Sequence, residues 1–265
     1  MNVLNSFRSE WILLNRPKMW TVMGLTTAIF TIFATALTLS TAKDVVGGGD
    51  DVGLALSTLV GSGGATVAVI FAIGFSSILV LAAFASSTGN EFSRGTLRAA
   101  LTKQPSRWSL MTGKLGARVG VASILMAGAL VIGAVTAAVW APTEDISTSG
   151  WFDGDAFVAA AGDYVRLIGF VVMYAVIGTA VAVLVRSTPV ALGACLLWFG
   201  PIENVIGEGK DWANRWFPGF VLRSLVQPDS PDALSLGTTL STLGVYAAIC
   251  IAVIGIVMAR RDVTS

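Results

Sequence analysis

Six apolar runs alternate with polar segments along the 265-residue chain. Each is close to the roughly 20 residues that a helix needs to cross a bilayer. They fall at about 19–40, 62–87, 115–140, 164–185, 189–207 and 237–258. The second and third exceed the minimum, which accommodates tilt or a helix that continues beyond the bilayer. Ahead of the first run, Leu4, Phe7, Trp11 and Leu14 recur on one helical face, with Asn5, Arg8, Ser9 and Asn15 off it. This predicts an amphipathic helix over 1–18 lying in the membrane interface, with Trp11 at head-group depth, and Pro17 ends it. The run behind Lys18 continues to about Leu39, too long for a signal-peptide core, so Ala34-Thr35-Ala36 reads as part of a span rather than a cleavage site.

Two polar intervals are more than simple connections. After Gly200-Pro201, the segment to residue 232 interleaves Trp212, Trp216, Phe217, Phe220, Leu222 and Leu225 with charges. It is too polar to span and too aromatic for a solvated loop, which predicts short re-entrant helices in the outer interface, buried against neighbours or lining a cavity. The other interval, 88–115, gathers Arg94, Arg98, Lys103, Arg107 and Lys114 between the second and third spans. Leu97, Leu101, Trp108 and Met111 give it a modest apolar face beside the cations. Such a segment suits either a protein partner or anionic lipid head groups.

Composition agrees with the pattern: 54% hydrophobic, 12% charged, mean hydropathy +0.77. The expected fold is an all-α integral membrane protein, with an interfacial helix at 1–18 and a six-helix transmembrane domain at 19–265. A net charge of +1 gives no electrostatic case for a nucleic-acid partner. Histidine is absent, which excludes an HExxH zinc site, a Ser-His nucleophile and histidine-ligated haem. Cys195 and Cys250 each lie in an apolar run and read as packing residues.

The few charges are distributed unevenly. The N-terminus, second loop, fourth loop and C-terminus carry Arg8, Arg16, Lys18, Arg94, Arg98, Lys103, Arg107, Lys114, Arg118, Arg186, Arg260 and Arg261, against the acids Glu10, Glu91 and Asp262. The remaining loops are mainly acidic, with Asp44, Asp50, Asp51, Glu144, Asp145, Asp153, Asp155, Asp163, Glu203, Glu208, Asp211, Asp229 and Asp232 against the bases Lys43, Arg166, Lys210, Arg215 and Arg223. By the positive-inside rule both termini and the 88–115 loop are expected to be cytoplasmic, in a multi-pass protein of the cell membrane.

Several short patterns mimic catalytic motifs and fail on chemistry. Gly47-Gly48-Gly49-Asp50 resembles a protease GxGD but lies in a polar loop, and Ser62 of Gly61-Ser62-Gly63 has no histidine to activate it. Asp153-Gly154-Asp155 reads as a solvated turn before a cation site. Gly113-Lys114 and Gly209-Lys210 lack both the upstream glycine and the following Ser or Thr of a P-loop, so the chain is expected to carry no ATPase of its own. Gly116 and Gly120 suit close helix contact.

Glu91, Gly95-Thr96-Leu97-Arg98, Pro105, Arg107 and Gly113-Lys114-Leu115 together resemble the signature of type-2 ABC exporter permeases. The ending Ala259-Arg260-Arg261-Asp262-Val263, the N-terminal segment with Glu10 and Trp20, and the fifth loop are similar to the same family. The resemblance implies that 88–115 forms a coupling helix docking a separate ABC ATPase subunit. That subunit would hold the ATP and Mg, and no cofactor is expected on this chain. It further implies a second permease chain, identical or different, with the pathway between the two. Glu91, Arg94, Gly95, Thr96, Leu97, Arg98 and Arg107 would carry the docking. Glu91 would accept backbone N–H groups or pair with Arg94 or Arg98, and Gly95 would permit a close turn. In the outer segment, Pro201 and Glu203 are the re-entrant and translocation candidates, with Glu203 expected to order the re-entrant helices by pairing with Arg215 or Arg223 and only secondarily to meet substrate. The runner-up is a membrane anchor or scaffold that uses its basic loop on anionic head groups.

Overall fold

A backbone in hydrocarbon must satisfy its own hydrogen bonds, and apolar runs of this length do so as helices. The computed structural model describes residues 3–42, 56–75, 77–103, 106–207 and 209–260, and every regular element among them is helical. In order these are α1 (Val3–Leu14), α2 (Pro17–Ser40), α3 (Leu56–Val60), α4 (Gly64–Phe75), α5 (Ser77–Ser93), α6 (Thr96–Lys103) and α7 (Arg107–Trp140). A 3-10 turn at Ala141–Glu144 follows, then α8 (Gly154–Val185) and α9 (Thr188–Leu197), which continues as a π-helical segment, Trp198–Ile206. The chain ends with α10 (Asp211–Trp216), α11 (Pro218–Val226) and α12 (Leu236–Arg260).

Among the described residues five helical stretches are long and apolar enough to cross a membrane: Pro17–Ser40, Arg107–Glu144, Gly154–Val185, Thr188–Ile206 and Leu236–Ala259. The run expected at 62–87 differs. Gly64–Gly74 and Ile78–Ser93 reach spanning length only as a pair, with a break between them. The chain is thus a multi-pass, all-helical membrane protein. Two helices begin well before the apolar runs they contain. α7 starts eight residues early, at Arg107, and α8 ten residues early, at Gly154. The second extension has a cap: the Asp153 carboxylate accepts the Ala156 N–H at 2.7 Å. Gly47–Asp51, expected as an external loop, lies outside the described residues.

The chain divides into two units. One comprises Pro17–Ser76 and Ser123–Ile168. Here α2 packs on α4, and Leu39, Leu59, Ala65, Ala68, Ala137, Ile146 and Trp151 form the core. The Trp151 indole donates to the Leu59 carbonyl at 2.7 Å, and buried Asp163 accepts from Thr66 Oγ1 at 2.8 Å and from Arg166 at 3.0 Å. Ser62 donates to Asp153 at 3.1 Å, an ordinary loop contact.

The other unit comprises Met1–Arg16, Ser77–Ala122 and Gly169–Ser265. Within it α5 runs along α9, and α11 packs on α12. Small residues set the spacing, as expected where helices associate without a hydrophobic driving force. A Cβ at Gly178 of α8 would stand 3.1 Å from the Ala85 nitrogen and the Leu81 carbonyl of α5. Phe170 and Tyr174 meet edge-on at 4.6 Å, and Tyr174 meets Phe199 at 5.5 Å. The thiols of Cys195 and Cys250 are both free. Pro201 lies inside the π-helical segment. Proline has no N–H and its ring clashes with the carbonyl four residues back, so a wider turn is the form in which the helix passes it.

Gly178→Val should cost roughly 1–3 kcal/mol by overpacking against backbone that has no side chain to move aside. Gly24, with nothing within 4 Å of its would-be Cβ, should accept alanine without loss. Thermal unfolding midpoints of the two variants in detergent check the contrast.

Candidate functional site

The basic hairpin expected at 88–115 is almost wholly helical. α5 extends to Ser93, and the chain reverses through Arg94-Gly95 into α6. Gly95 sits at φ +66°, a left-handed conformation that glycine adopts without steric cost. The Arg94 N–H donates to the Asn90 carbonyl at 3.0 Å and the Gly95 N–H to that of Phe92 at 3.1 Å, closing the end of α5. Thr96 Oγ1 donates to the Glu91 carbonyl at 3.4 Å, at the long limit.

α6 then has two faces. Leu97 is only 1% exposed and belongs to an apolar cluster with Leu110, Met111, Ala180, Val183, Ile254 and Met258. Ala100 and Leu101 pack against the same cluster. Leu97 and Met111, expected in a modest apolar face beside the cations, are both buried in this cluster. The exposed face carries Arg94, Thr96, Ala99 and Thr102. The side chains of Arg98 and Lys103, and Pro105 entirely, lie outside the described residues. Arg107 points elsewhere, donating to the Met258 carbonyl in the last turn of α12, where a cation complements the helix terminus.

Under the hairpin, four charged side chains meet. Glu10 comes from α1, Glu91 from α5, and Lys114 and Arg118 lie one turn apart on α7. Lys114 Nζ is 2.8 Å from Glu91 and 3.4 Å from Glu10. Arg118 donates to Glu10 at 2.8 and 2.9 Å through its NH2 and Nε, and its NH2 also contacts Glu91. Its NH1 reaches Ser87 at 3.1 Å and Thr88 at 3.2 Å. These four side chains are 7–13% exposed. Two carboxylates and two cations make the cluster neutral, the condition on which charges survive at low exposure. Glu91 thus pairs with α7 rather than with Arg94, because it sits on the helix and not in the turn.

α1 reaches this cluster through a glycine groove. A Cβ at Gly113 would run into Ser6 and the backbone of Val3 and Phe7, one at Gly116 would lie 3.5 Å from the Phe7 ring, and one at Gly120 3.4 Å from Trp11. Gly116 and Gly120, read from sequence as contact glycines, do bring helices together, and Gly113 extends the row. Phe7 and Trp11 stack at 5.8 Å on this side. The seated face of α1 is centred on buried Ser6 and Glu10, whereas Leu4, Ile12 and Leu13 are exposed. The expected Leu4-Phe7-Trp11-Leu14 stripe is therefore split, since helix packing and not apolarity alone selects the face.

A second contact was invisible in the sequence, where the fourth loop looked like a bare connection. Arg186 lies over the Phe92 ring at 5.7 Å. Thr188 Oγ1 is 3.2 Å from Asn90 Oδ1 and 3.3 Å from Ser93 Oγ, and Gly89 makes room for it. The end of α5 is thus held on two sides.

Glu203 is 2% exposed in the π-helical segment. It accepts from Trp198 Nε1 at 2.9 Å and from the Gly219 N–H at 3.2 Å. A side chain at Gly219 would overlap Glu203 Oε2, so the carboxylate would have to move to admit one. The expected pairing with Arg215 or Arg223 does not form within 4 Å among the described residues. Arg223 instead lies over Phe220 at 5.2 Å. Glu203 does order α11 against the π-helical segment, through a backbone amide and an indole rather than a cation. Pro201 is exposed beside it. Among the described residues no three His, Cys, Asp or Glu side chains group as metal ligands.

The chain matches no protein-family model, and comparison with curated proteins likewise finds no match.

Arg118→Ala should cost roughly 3–5 kcal/mol, because it leaves two poorly exposed carboxylates sharing Lys114 alone. Lys114→Ala should cost less, since Arg118 still bridges both acids. A double-mutant cycle between Glu10 and Arg118, read by thermal or denaturant unfolding in detergent, measures the coupling.

Proposed function

We propose that the chain is the membrane-spanning permease subunit of an ATP-driven ABC exporter, moving an amphipathic, peptide, drug or lipid-like cargo outward. In this reading α4 and α5 form one interrupted span, giving six. Residues 88–115 and both ends face the cytoplasm, as the loop charges require. The 200–232 segment is re-entrant from the outside. The permease works as a homo- or heterodimer in the cell membrane. ATP hydrolysis belongs to a separate subunit that docks on α6, so this chain is not itself an enzyme.

One observation carries the reading: α6 is anchored on one face, exposed on the other, and flanked by helices tied to each other by ion pairs. The polar face of the hairpin is exposed at Arg94, Thr96 and Thr102, while Leu97 fixes the opposite face in the core. Its two flanking helices are tied to each other and to α1 through Glu10, Glu91, Lys114 and Arg118. A push on α6 therefore moves α5 and α7 instead of being absorbed by a loose loop. A lipid-anchoring role is favoured by a different observation, the exposure of large apolar side chains at Trp108 (49%) and, on α1, at Ile12 and Leu13.

Co-purification separates the two. With the ATPase subunit supplied by its own operon or genome, Arg94→Glu combined with Arg98→Glu should weaken the complex roughly tenfold or more while leaving the permease folded. Loss of liposome binding with no ATPase ever recovered would favour the anchor. Topology is checked by labelling: cysteine at Ser93 or Ser106 should react with a membrane-impermeant maleimide only after the cytoplasmic side is opened, and labelling of intact cells would overturn the orientation.

A further inference from the structure

α11 buries Phe220, Val221, Leu222, Leu225 and Val226, and turns Arg223 away from that face. Arg223 meets there a polar recess of about 240 Å³, shared with Asn204, Asn214, Gln227, Ser230 and Asp232. This is below the roughly 300–1,000 Å³ of pockets that take drug-sized molecules, so it suits a head group rather than a whole cargo.

The recess has a rigid floor. Ser224 Oγ donates to the Phe220 carbonyl and accepts the Leu234 N–H, both at 3.2 Å, tying α11 to the segment that follows it. Arg223 is oriented by the Phe220 ring at 5.2 Å and by Asn204 Oδ1 at 3.5 Å. Opposite charges thus line one small recess, yet among the described residues neither Arg223 nor Asp232 has an ion partner within 4 Å. The side-chain amides of Asn214 and Gln227 also bond to no described residue.

Two separated, opposite charges are best satisfied by one ligand carrying both in reverse order. A guanidinium presents a fork that fits phosphate or carboxylate oxygens, and a carboxylate accepts an ammonium. We propose that this recess binds a small zwitterion, a phosphate ester with an ammonium a few bonds away, either free or as the head group of a phospholipid. Exposed Trp212 and Trp216 on neighbouring α10 suit the interfacial depth at which lipid head groups lie. The proposal stands apart from the exporter reading and needs no ATPase for its test.

Purified full-length protein in detergent is titrated with phosphoethanolamine, glycerol phosphate, and the dihexanoyl forms of phosphatidylethanolamine and phosphatidylglycerol, and binding is read by calorimetry. The zwitterionic compounds should bind about tenfold or more tightly than their anionic counterparts. Arg223→Gln should weaken them by at least about tenfold, and Asp232→Asn should reduce them to the level of the anion. Asp229→Asn, a charge change next to the recess lining, should leave binding unchanged. Binding of the short-chain lipid alone assigns the site to lipid, and equal binding of phosphoethanolamine assigns it to the head-group chemistry whatever its source. Equal affinity for zwitterion and anion, or wild-type binding by the folded Arg223→Gln and Asp232→Asn variants, would overturn the proposal.

Discussion

The neutral cluster of Glu10, Glu91, Lys114 and Arg118 is the constraint on which its surroundings depend. Each charge carries a desolvation cost of several kcal/mol when withdrawn from water, and only mutual pairing offsets it. Arg118 makes this possible because a guanidinium has five donors in a fixed fork. It uses them on both carboxylates and on the Ser87 and Thr88 hydroxyls. Three helices from distant parts of the sequence are thereby registered against one another. Each of the four contacts both groups of opposite charge, so removing one leaves the remaining charges unbalanced.

That registry requires close backbones, and glycine supplies them. Gly113, Gly116 and Gly120 form the surface on which α1 lies, bringing Glu10 within reach of α7. Gly89 and Gly178 do the same around α5. Close packing by small residues and a charge cluster at the junction reinforce one another, since a wider gap would admit water and weaken each ion pair. The outcome is a stiff base beneath a short hairpin that turns through left-handed Gly95. Under the proposed docking role, stiffness is the property that matters, because force applied to a compliant loop is lost before it reaches a span.

The 198–234 region solves a different problem. Pro201 removes a backbone donor and widens the helix, and Glu203 then supplies an acceptor for the Gly219 amide and the Trp198 indole. A buried carboxylate with two donors fixes the path of the chain at the point where the regular hydrogen-bond ladder is broken. Arg223 is released from that duty and left facing polar space.

What the sequence alone determined is the membrane class, the helical spans and the basic hairpin, because hydrophobic run length and the absence of backbone partners in lipid leave no other solution. The Gly95 turn was also legible, since chemistry at one position dictates it. The break between α4 and α5, the early starts of α7 and α8, and the π-helical passage at Pro201 were not, because apolar length says nothing about where a helix is interrupted or extended. Partnership was decided by tertiary structure. Glu91 chose Lys114 and Arg118 over Arg94, Glu203 chose an indole and an amide over arginine, and Leu97 turned inward. A side chain's partner depends on which helix faces it and at what rotation, and that is settled by packing between segments far apart in the chain.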